Sequence, residues 1–338
     1  MKIHERLIGA NHPVYVIAEI GINHDGRAQQ AMQLVDAAAK AGADAVKFQI
    51  ITAQRCYSPS SPSYSIFKEV ELTKDEWRTI FAHARRAKLD CLATFADGQD
   101  LQDYDEFPWP AYKISSSNVT NIPLLKAMAA KGRPVILSTG LSYRKEIREA
   151  VDCLKDNGAR DIILLQCTSI YPAPPEAVHL NVLKTLREEF FDCLVGFSDH
   201  TQGIACAGAA VALGACLIEK HFTLDKKQKG PDHHFSADPP EFAGMVRQIR
   251  TVEAALGSPI KEPVLSEITD RPKLRRTIVA LRSLKAGQIL TSHDIGLKRS
   301  VAPGLLPKHF ENIVGKIIKN DVLPHEPITS AMVELEDR

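Results

Sequence analysis

Eight short apolar runs lie between Val14 and Glu219 of this 338-residue chain, and a helical pattern follows nearly every one. Runs of this length read as buried strands. They are Val14–Ile20, Ala45–Ile50, Leu89–Phe95, Ala111–Ile114, Pro134–Ser138, Asp161–Gln166, Cys193–Phe197 and Cys216–Ile218. Helices are predicted from about Ala28 to Lys40, from Thr73 to Lys88, from Pro123, from Tyr143 to Asn157 and from about Pro240 to Leu256. Thr73 with Glu76 three residues on has the form of a capping box, and Gly158 and Gly257 suit helix ends. Eight strand–helix repeats favour a closed TIM-type (β/α)8 barrel over an open sheet. A dinucleotide fold would carry glycines spaced GxGxxG after its first strand, and Gly21-Ile22-Asn23-His24-Asp25-Gly26 lacks that spacing. Tyr57 to Tyr64 reads as a Ser/Pro-rich loop without a clear element, and the helix signal after Pro175 is weak.

Texture changes after Gly257. Residues 258–275 are rich in proline and charge and read as a linker, and 276–338 show short strand candidates between turns. The domains are therefore 1–257, a linker 258–275, and a small unit 276–338 of a size that is marginal alone. Charge is balanced, 42 basic against 41 acidic residues, which gives no footprint for nucleic acid. No apolar run reaches the length of a membrane span, and the polar start Met1-Lys2-Ile3-His4-Glu5-Arg6 lacks a signal-peptide core. Seven scattered cysteines without a CxxC pair point to a reducing cytoplasm.

Barrel enzymes work at the carboxyl ends of their strands. There this chain carries Glu19; Lys47 and Gln49; Thr94; Lys113 with Ser115 to Asn118; Ser138; Thr168, Ser169 and Tyr171; Asp199 and His200; and Glu219 and His221. The two histidines exit neighbouring strands. Two imidazoles on one rim can hold a divalent cation, or can be unrelated polar residues. Lys47 and Lys113 sit inside apolar strands, where an ammonium is costly unless paired. They are read either as internal ion pairs with Glu19 or Glu219, or as an anion site beside hydroxyls suited to phosphate or carboxylate. His233 and His234 are further candidate ligands, with His234 read as solvated, and Asp232 is a candidate partner for substrate hydroxyls.

Ala18-Glu19-Ile20-Gly21-Ile22-Asn23-His24-Asp25-Gly26, Val46-Lys47-Phe48-Gln49, Tyr112-Lys113-Ile114, Leu137-Ser138-Thr139-Gly140, Cys167-Thr168-Ser169-Ile170-Tyr171-Pro172, Ser198-Asp199-His200-Thr201, Glu219-Lys220-His221-Phe222 and Gly230-Pro231-Asp232, in this order, resemble the sialic acid synthase family. Leu274-Arg275-Arg276-Thr277, Lys285-Ala286-Gly287 and Leu297-Lys298-Arg299 resemble its C-terminal antifreeze-like (SAF, β-clip type) domain.

The resemblance implies a cytoplasmic enzyme that condenses phosphoenolpyruvate with an N-acylated mannosamine-type sugar to a nonulosonic acid and phosphate. It implies Mn2+ or Mg2+ on His200 and His221, and phosphoenolpyruvate contacts from Lys47, Thr94, Lys113, Ser116 and Ser138. Gln49, Ser169, Tyr171 and Asp232 match positions near the sugar or metal. Arg299 matches an arginine that reaches a partner's site in a domain-swapped homodimer, although the turn after it, Ser300-Val301-Ala302-Pro303-Gly304, is altered. Glu19, Lys113 and Asn118 are the catalytic candidates. Asn118 stands where the family usually carries an acid, and an amide cannot act as a general base; Glu19 is then the preferred proton carrier. The alternatives are a phosphoenolpyruvate aldol synthase of the KDO-phosphate or DAHP type, and a sugar-binding homologue impaired at Asn118.

Overall fold

A computed structural model describes residues 1–333 of the chain. The backbone divides into two compact units, Met1–Gly257 and the segment from Ser258 onward. The first is a closed barrel of eight parallel strands. In chain order these are Tyr15–Gly21, Ala45–Ile50, Asp90–Phe95, Tyr112–Ile114, Val135–Ser138, Ile162–Cys167, Leu194–Asp199 and Leu217–His221. Strand eight closes on strand one, with Leu217 opposite Tyr15 and His221 opposite Glu19. Strands seven and eight run two and three residues past their apolar stretches, because the polar residues at their ends still take part in the ladder.

Side chains alternate across a strand, so every second residue faces the barrel interior. Reading inward positions along the strands gives Ile17 then Glu19, Ala45 then Lys47, Leu92 then Thr94, Ala111 then Lys113, Ile136 then Ser138, Leu165 then Cys167, and Leu217 then Glu219 and His221. The lower members pack as one apolar cluster, which Ile3 and Ile8 of the N-terminal segment join. The upper members are polar and buried. The intervening residues, such as Val16, Val46, Leu137 and Ile218, pack outward against the helices in a larger core. Gly196 is needed at its inward position: a Cβ there would lie 2.6 Å from the Leu217 carbonyl oxygen and 2.7 Å from Leu165.

Helices follow the strands as the pattern predicts. Lys74–Arg86 is capped reciprocally: the Thr73 N–H donates to Glu76 at 2.7 Å, and the Glu76 N–H donates to Thr73 Oγ1 at 3.3 Å. The stretch read as an unstructured loop differs. It holds a helix, Pro62–Val70, started by Pro62 and by Ser61 Oγ accepting from the Ser63 N–H. None of its residues is buried, so no apolar period marked it. Tyr57 stacks on Phe67 of this helix with ring centroids 5.0 Å apart. After Pro175 a 3-10 turn, Pro175–Ala177, precedes a helix at Val182–Glu189.

The stretch read as a linker contains a helix, Leu265–Leu274, in which no residue is buried. The Val264 N–H donates to the Glu267 carboxylate at its start. The unit beyond has an antiparallel pair, Arg276–Ala280 with Ile295–Arg299, and its own core of Ile278, Leu284, Leu290, Ile313 and Ile328. Ile289 makes only an isolated bridge, with Ile317. Residues 334–338, the end of the predicted small domain, lie outside the described residues. Among the described residues no helix is long and apolar enough to cross a membrane.

Candidate active site

The polar upper layer of the barrel encloses a cavity of about 200 Å3 at the carboxyl ends of the strands. Of the predicted site residues, Glu19, Lys47, Gln49, Thr94, Lys113, Ser116, Asn118, Ser138, Tyr171, His200 and His221 line it. Asp232 reaches its edge, with Oδ2 3.6 Å from His221 Nδ1. Ser169 Oγ is buried without a hydrogen-bond partner, and an added Cβ on Gly140 would lie 2.4 Å from it. Arg299 belongs to the second unit, where it is exposed and stands opposite Arg276.

Both lysines are paired internally. Lys47 Nζ lies 2.9 Å from Glu19 Oε2 and 3.6 Å from Glu219 Oε2, and donates to Thr94 Oγ1 at 2.9 Å. Lys113 Nζ lies 3.6 Å from Glu219 Oε1 and donates to Ser138 Oγ at 2.7 Å. Of the two readings, the ion pairs are present: two lysines face two glutamates, and Thr94 and Ser138, two of the hydroxyls assigned to an anion, also serve the lysines. Burial of four charged groups in one cage requires this mutual compensation.

The carboxylates are not equivalent. Burial acts against ionised Glu219, but Lys113 and Lys47 outweigh it and Ser198 donates at 2.9 Å, which holds Glu219 at about 2. Burial dominates at Glu19, which stays above its ordinary value despite Lys47, with Glu219 adding to the rise. Asp232 is pushed up to about 6 by burial and then by Glu19. For Glu219, whose ordinary value is 4.5, native-state ionisation supplies stability above that pH that is lost as pH falls toward 2. Urea unfolding from about pH 5 to about pH 2 should therefore show wild type losing more stability on acidification than Glu219→Gln.

His200 and His221 meet as predicted, with ring centroids 5.4 Å apart. His200 Nδ1 donates to the Thr168 carbonyl at 2.7 Å, which leaves Nε2 to carry the lone pair. His221 Nδ1 is buried without a hydrogen-bond partner. Burial first, then His200 and the lysines, keep His221 well below the usual imidazole range, so it is neutral. At His200, burial is opposed by Cys167, whose Sγ lies 3.8 Å from Nδ1, and by the Thr168 carbonyl; its affinity for a proton stays above the ordinary level. Tyr171 lies over the His200 ring at 4.2 Å between centroids. Two imidazoles, one with an orphaned nitrogen, fit a divalent cation that takes its other ligands from water or substrate. Among the described residues no group of three or more His, Cys, Asp or Glu forms a closed cation site.

His233 is not available as a ligand. It is fully buried, with Nδ1 2.7 Å from Thr223 Oγ1 and Nε2 3.1 Å from Asp25, so it fixes the loop that carries Asp232. His234 is exposed, as expected. The Asn118 amide donates to Ser115 Oγ at 3.0 Å and accepts from Asn121 at 2.9 Å, and Asn121 Oδ1 accepts from the Leu124 N–H at the start of the Ile122–Ala129 helix. Sequence reasoning left out Cys167, Ser198, Tyr57 and Phe67, which also line the cavity. The first two continue the inward-facing positions of strands six and seven and could have been found by counting; Tyr57 and Phe67 come from the segment without a legible pattern.

A closed parallel barrel with a charged cavity at its carboxyl rim is the architecture of a barrel enzyme. The NeuB family model matches residues 34–261, and a SAF domain model matches residues 275–334. The chain belongs to the NeuB family and is an enzyme of the sialic and nonulosonic acid synthase kind. It is 45% identical to the uncharacterized protein MJ1065 of Methanocaldococcus jannaschii, over 95% of each chain. It is 37% identical to N,N'-diacetyllegionaminic acid synthase of Campylobacter jejuni, over 89% of this chain and 95% of that one. The crystal structure of N-acetylneuraminic acid (sialic acid) synthetase from Leptospira borgpetersenii, in complex with citrate, superposes with a TM-score of 0.76 at 34% identity, covering 80% of this chain and 94% of that one.

Proposed function

We propose that the chain condenses phosphoenolpyruvate with the open-chain form of an N-acylated mannosamine-type sugar, giving a nonulosonic acid and phosphate, with Mn2+ or Mg2+ held by His200 and His221. The observation that carries this reading is the pairing of two adjacent imidazoles with a compensated lysine–glutamate cage in one cavity. When bound, the cation supplies Lewis-acid polarisation of the sugar aldehyde.

The chain's own residues do the rest. Lys47 and Lys113, with Thr94, Ser116 and Ser138, hold phosphate and carboxylate of phosphoenolpyruvate and aim its methylene carbon at the aldehyde. Glu19, whose proton affinity burial raises, takes up a proton as the anion enters, leaving two ammonium groups against the single charge of Glu219. The new carbon–carbon bond forms from the methylene carbon, and the aldehyde oxygen takes the proton that Glu19 holds. Water adds to the former enol carbon, and Glu19, now ionised, accepts its proton. The tetrahedral intermediate then collapses by carbon–oxygen cleavage to the α-keto acid, and the lysines stabilise the departing phosphate. Gln49, Ser169, Tyr171 and Asp232 face the sugar. Arg299 serves the cavity of a second copy in a homodimer, which sedimentation of the full chain tests: a monomer would exclude it.

The direct experiment is phosphate release with both substrates and Mn2+. No release with N-acylated mannosamines, but release with phosphorylated aldoses, would favour the KDO-phosphate or DAHP reading. That reading is disfavoured because Lys47 and Lys113 are the only lysines or arginines lining the cavity among the described residues, and both face glutamates. In this mechanism Asn118 supports its loop instead of moving protons. Asn118→Asp reverses the bond with Ser115, whose hydroxyl must then donate, and places a carboxylate at a buried position; it should cost about 1 kcal/mol of stability without raising kcat. A large rise in kcat would return the proton-transfer role to this position.

A further inference from the structure

A buried ion pair lies between the two histidine-bearing strands, on the face of the sheet away from the cavity. Glu219 and His221 line the cavity, so strand alternation sends Lys220 outward. Lys220 stands opposite Asp199 in register. Its Nζ donates to Asp199 Oδ2 at 2.9 Å and to the Thr201 carbonyl at 2.9 Å. Asp199 Oδ1 in turn accepts from the Thr201 N–H at 2.9 Å and from Thr201 Oγ1 at 2.7 Å. Lys220 is 2% exposed and Asp199 1%. A buried pair of this kind is weak support for stability, since apolar side chains of similar volume often serve as well. Its location sets it apart: Asp199 directly precedes His200, and Lys220 directly precedes His221. On the cavity face the same strands are joined by Ser198 and Glu219 at 2.9 Å.

We propose that Lys220, Asp199 and Thr201 form a clamp that sets the separation and aim of His200 and His221 and so governs the affinity of the site for a divalent cation. The inference rests on the metal reading above. With only two protein nitrogens to offer, the site depends on their spacing more than a closed four-ligand site would. The clamp fixes strand seven, strand eight and the residue after His200 to one another. These are positioning residues; none of them lines the cavity.

The test uses the full chain stripped with a chelator and titrated with Mn2+ alone, free Mn2+ being read by electron paramagnetic resonance. The double variant Asp199→Leu with Lys220→Met should keep cooperative urea unfolding and raise the Mn2+ Kd about ten- to hundred-fold, the range for groups that support metal ligands. Should it not fold, Thr201→Val, which loses one hydroxyl donor to Asp199, should weaken Mn2+ about threefold. Unchanged Kd in a folded variant, whatever its stability, overturns the clamp. Wild type that binds Mn2+ through His221 while the double variant binds equally well overturns the clamp alone. Wild type that takes up no Mn2+ overturns the metal reading and the clamp with it.

Discussion

His221→Ala should lose at least about a thousandfold in phosphate release while keeping its fold, given the several kcal/mol that a Lewis acid contributes to such a transition state. His221 contributes an imidazole whose Nδ1 has no hydrogen-bond partner and which meets His200 at 5.4 Å between centroids. On the proposed metal reading, removing it leaves one imidazole, and among the described residues no group of three or more His, Cys, Asp or Glu could hold a cation in its place. The ring packs against Phe235 and Tyr171, so truncation also opens a small gap, but no buried charge is exposed by it. Circular dichroism and urea unfolding should therefore stay near wild type. Mn2+ binding should be lost in parallel with turnover, and turnover that persists without bound Mn2+ would refute the ligand role.

Lys47→Met should fail differently, through both stability and substrate affinity. Lys47 neutralises Glu19 at 2.9 Å and Glu219 at 3.6 Å, and all three are almost fully buried. Its removal leaves two carboxylates facing each other with only Lys113 beside them. Breaking a buried pair in this way costs about 3–5 kcal/mol, which urea unfolding at neutral pH would read directly. Part of that loss should return on acidification, as Glu19, already the weaker acid of the two, takes up a proton. The KM for phosphoenolpyruvate should rise about a hundredfold or more, since a multiply charged anion would meet a cage with excess negative charge. A variant with normal stability and normal KM would show that Lys47 is a bystander.

The contrast between these two sites explains how much could be read in advance. The barrel was legible because strand burial is a local property: Ala45–Ile50 or Ile162–Cys167 announces itself by composition, and helices such as Ala28–Lys40 and Arg144–Asp156 by period. The histidines were legible because neighbouring βα units place their strand ends side by side, so chain order alone brings His200 to His221. The lysine cage was only half legible. Lys47 in an apolar strand declares that a partner exists, but whether that partner is a ligand or Glu219, far along the chain on strand eight, depends on barrel closure. The helix Pro62–Val70 was illegible because it buries nothing, and the helix Leu265–Leu274 for the same reason. Asn118 shows a further limit. Its place in the cavity followed from position, but its engagement with Ser115 and Asn121 is set by side-chain geometry that no spacing encodes.

The apolar floor of the barrel, joined by Ile3 and Ile8, has a consequence for traffic. A vessel plugged at its base has one mouth. On strand eight Glu219, which the amines grip, precedes His221 by one pleat repeat. On the proposed reading, a guest held by the amines should enter first and leave last.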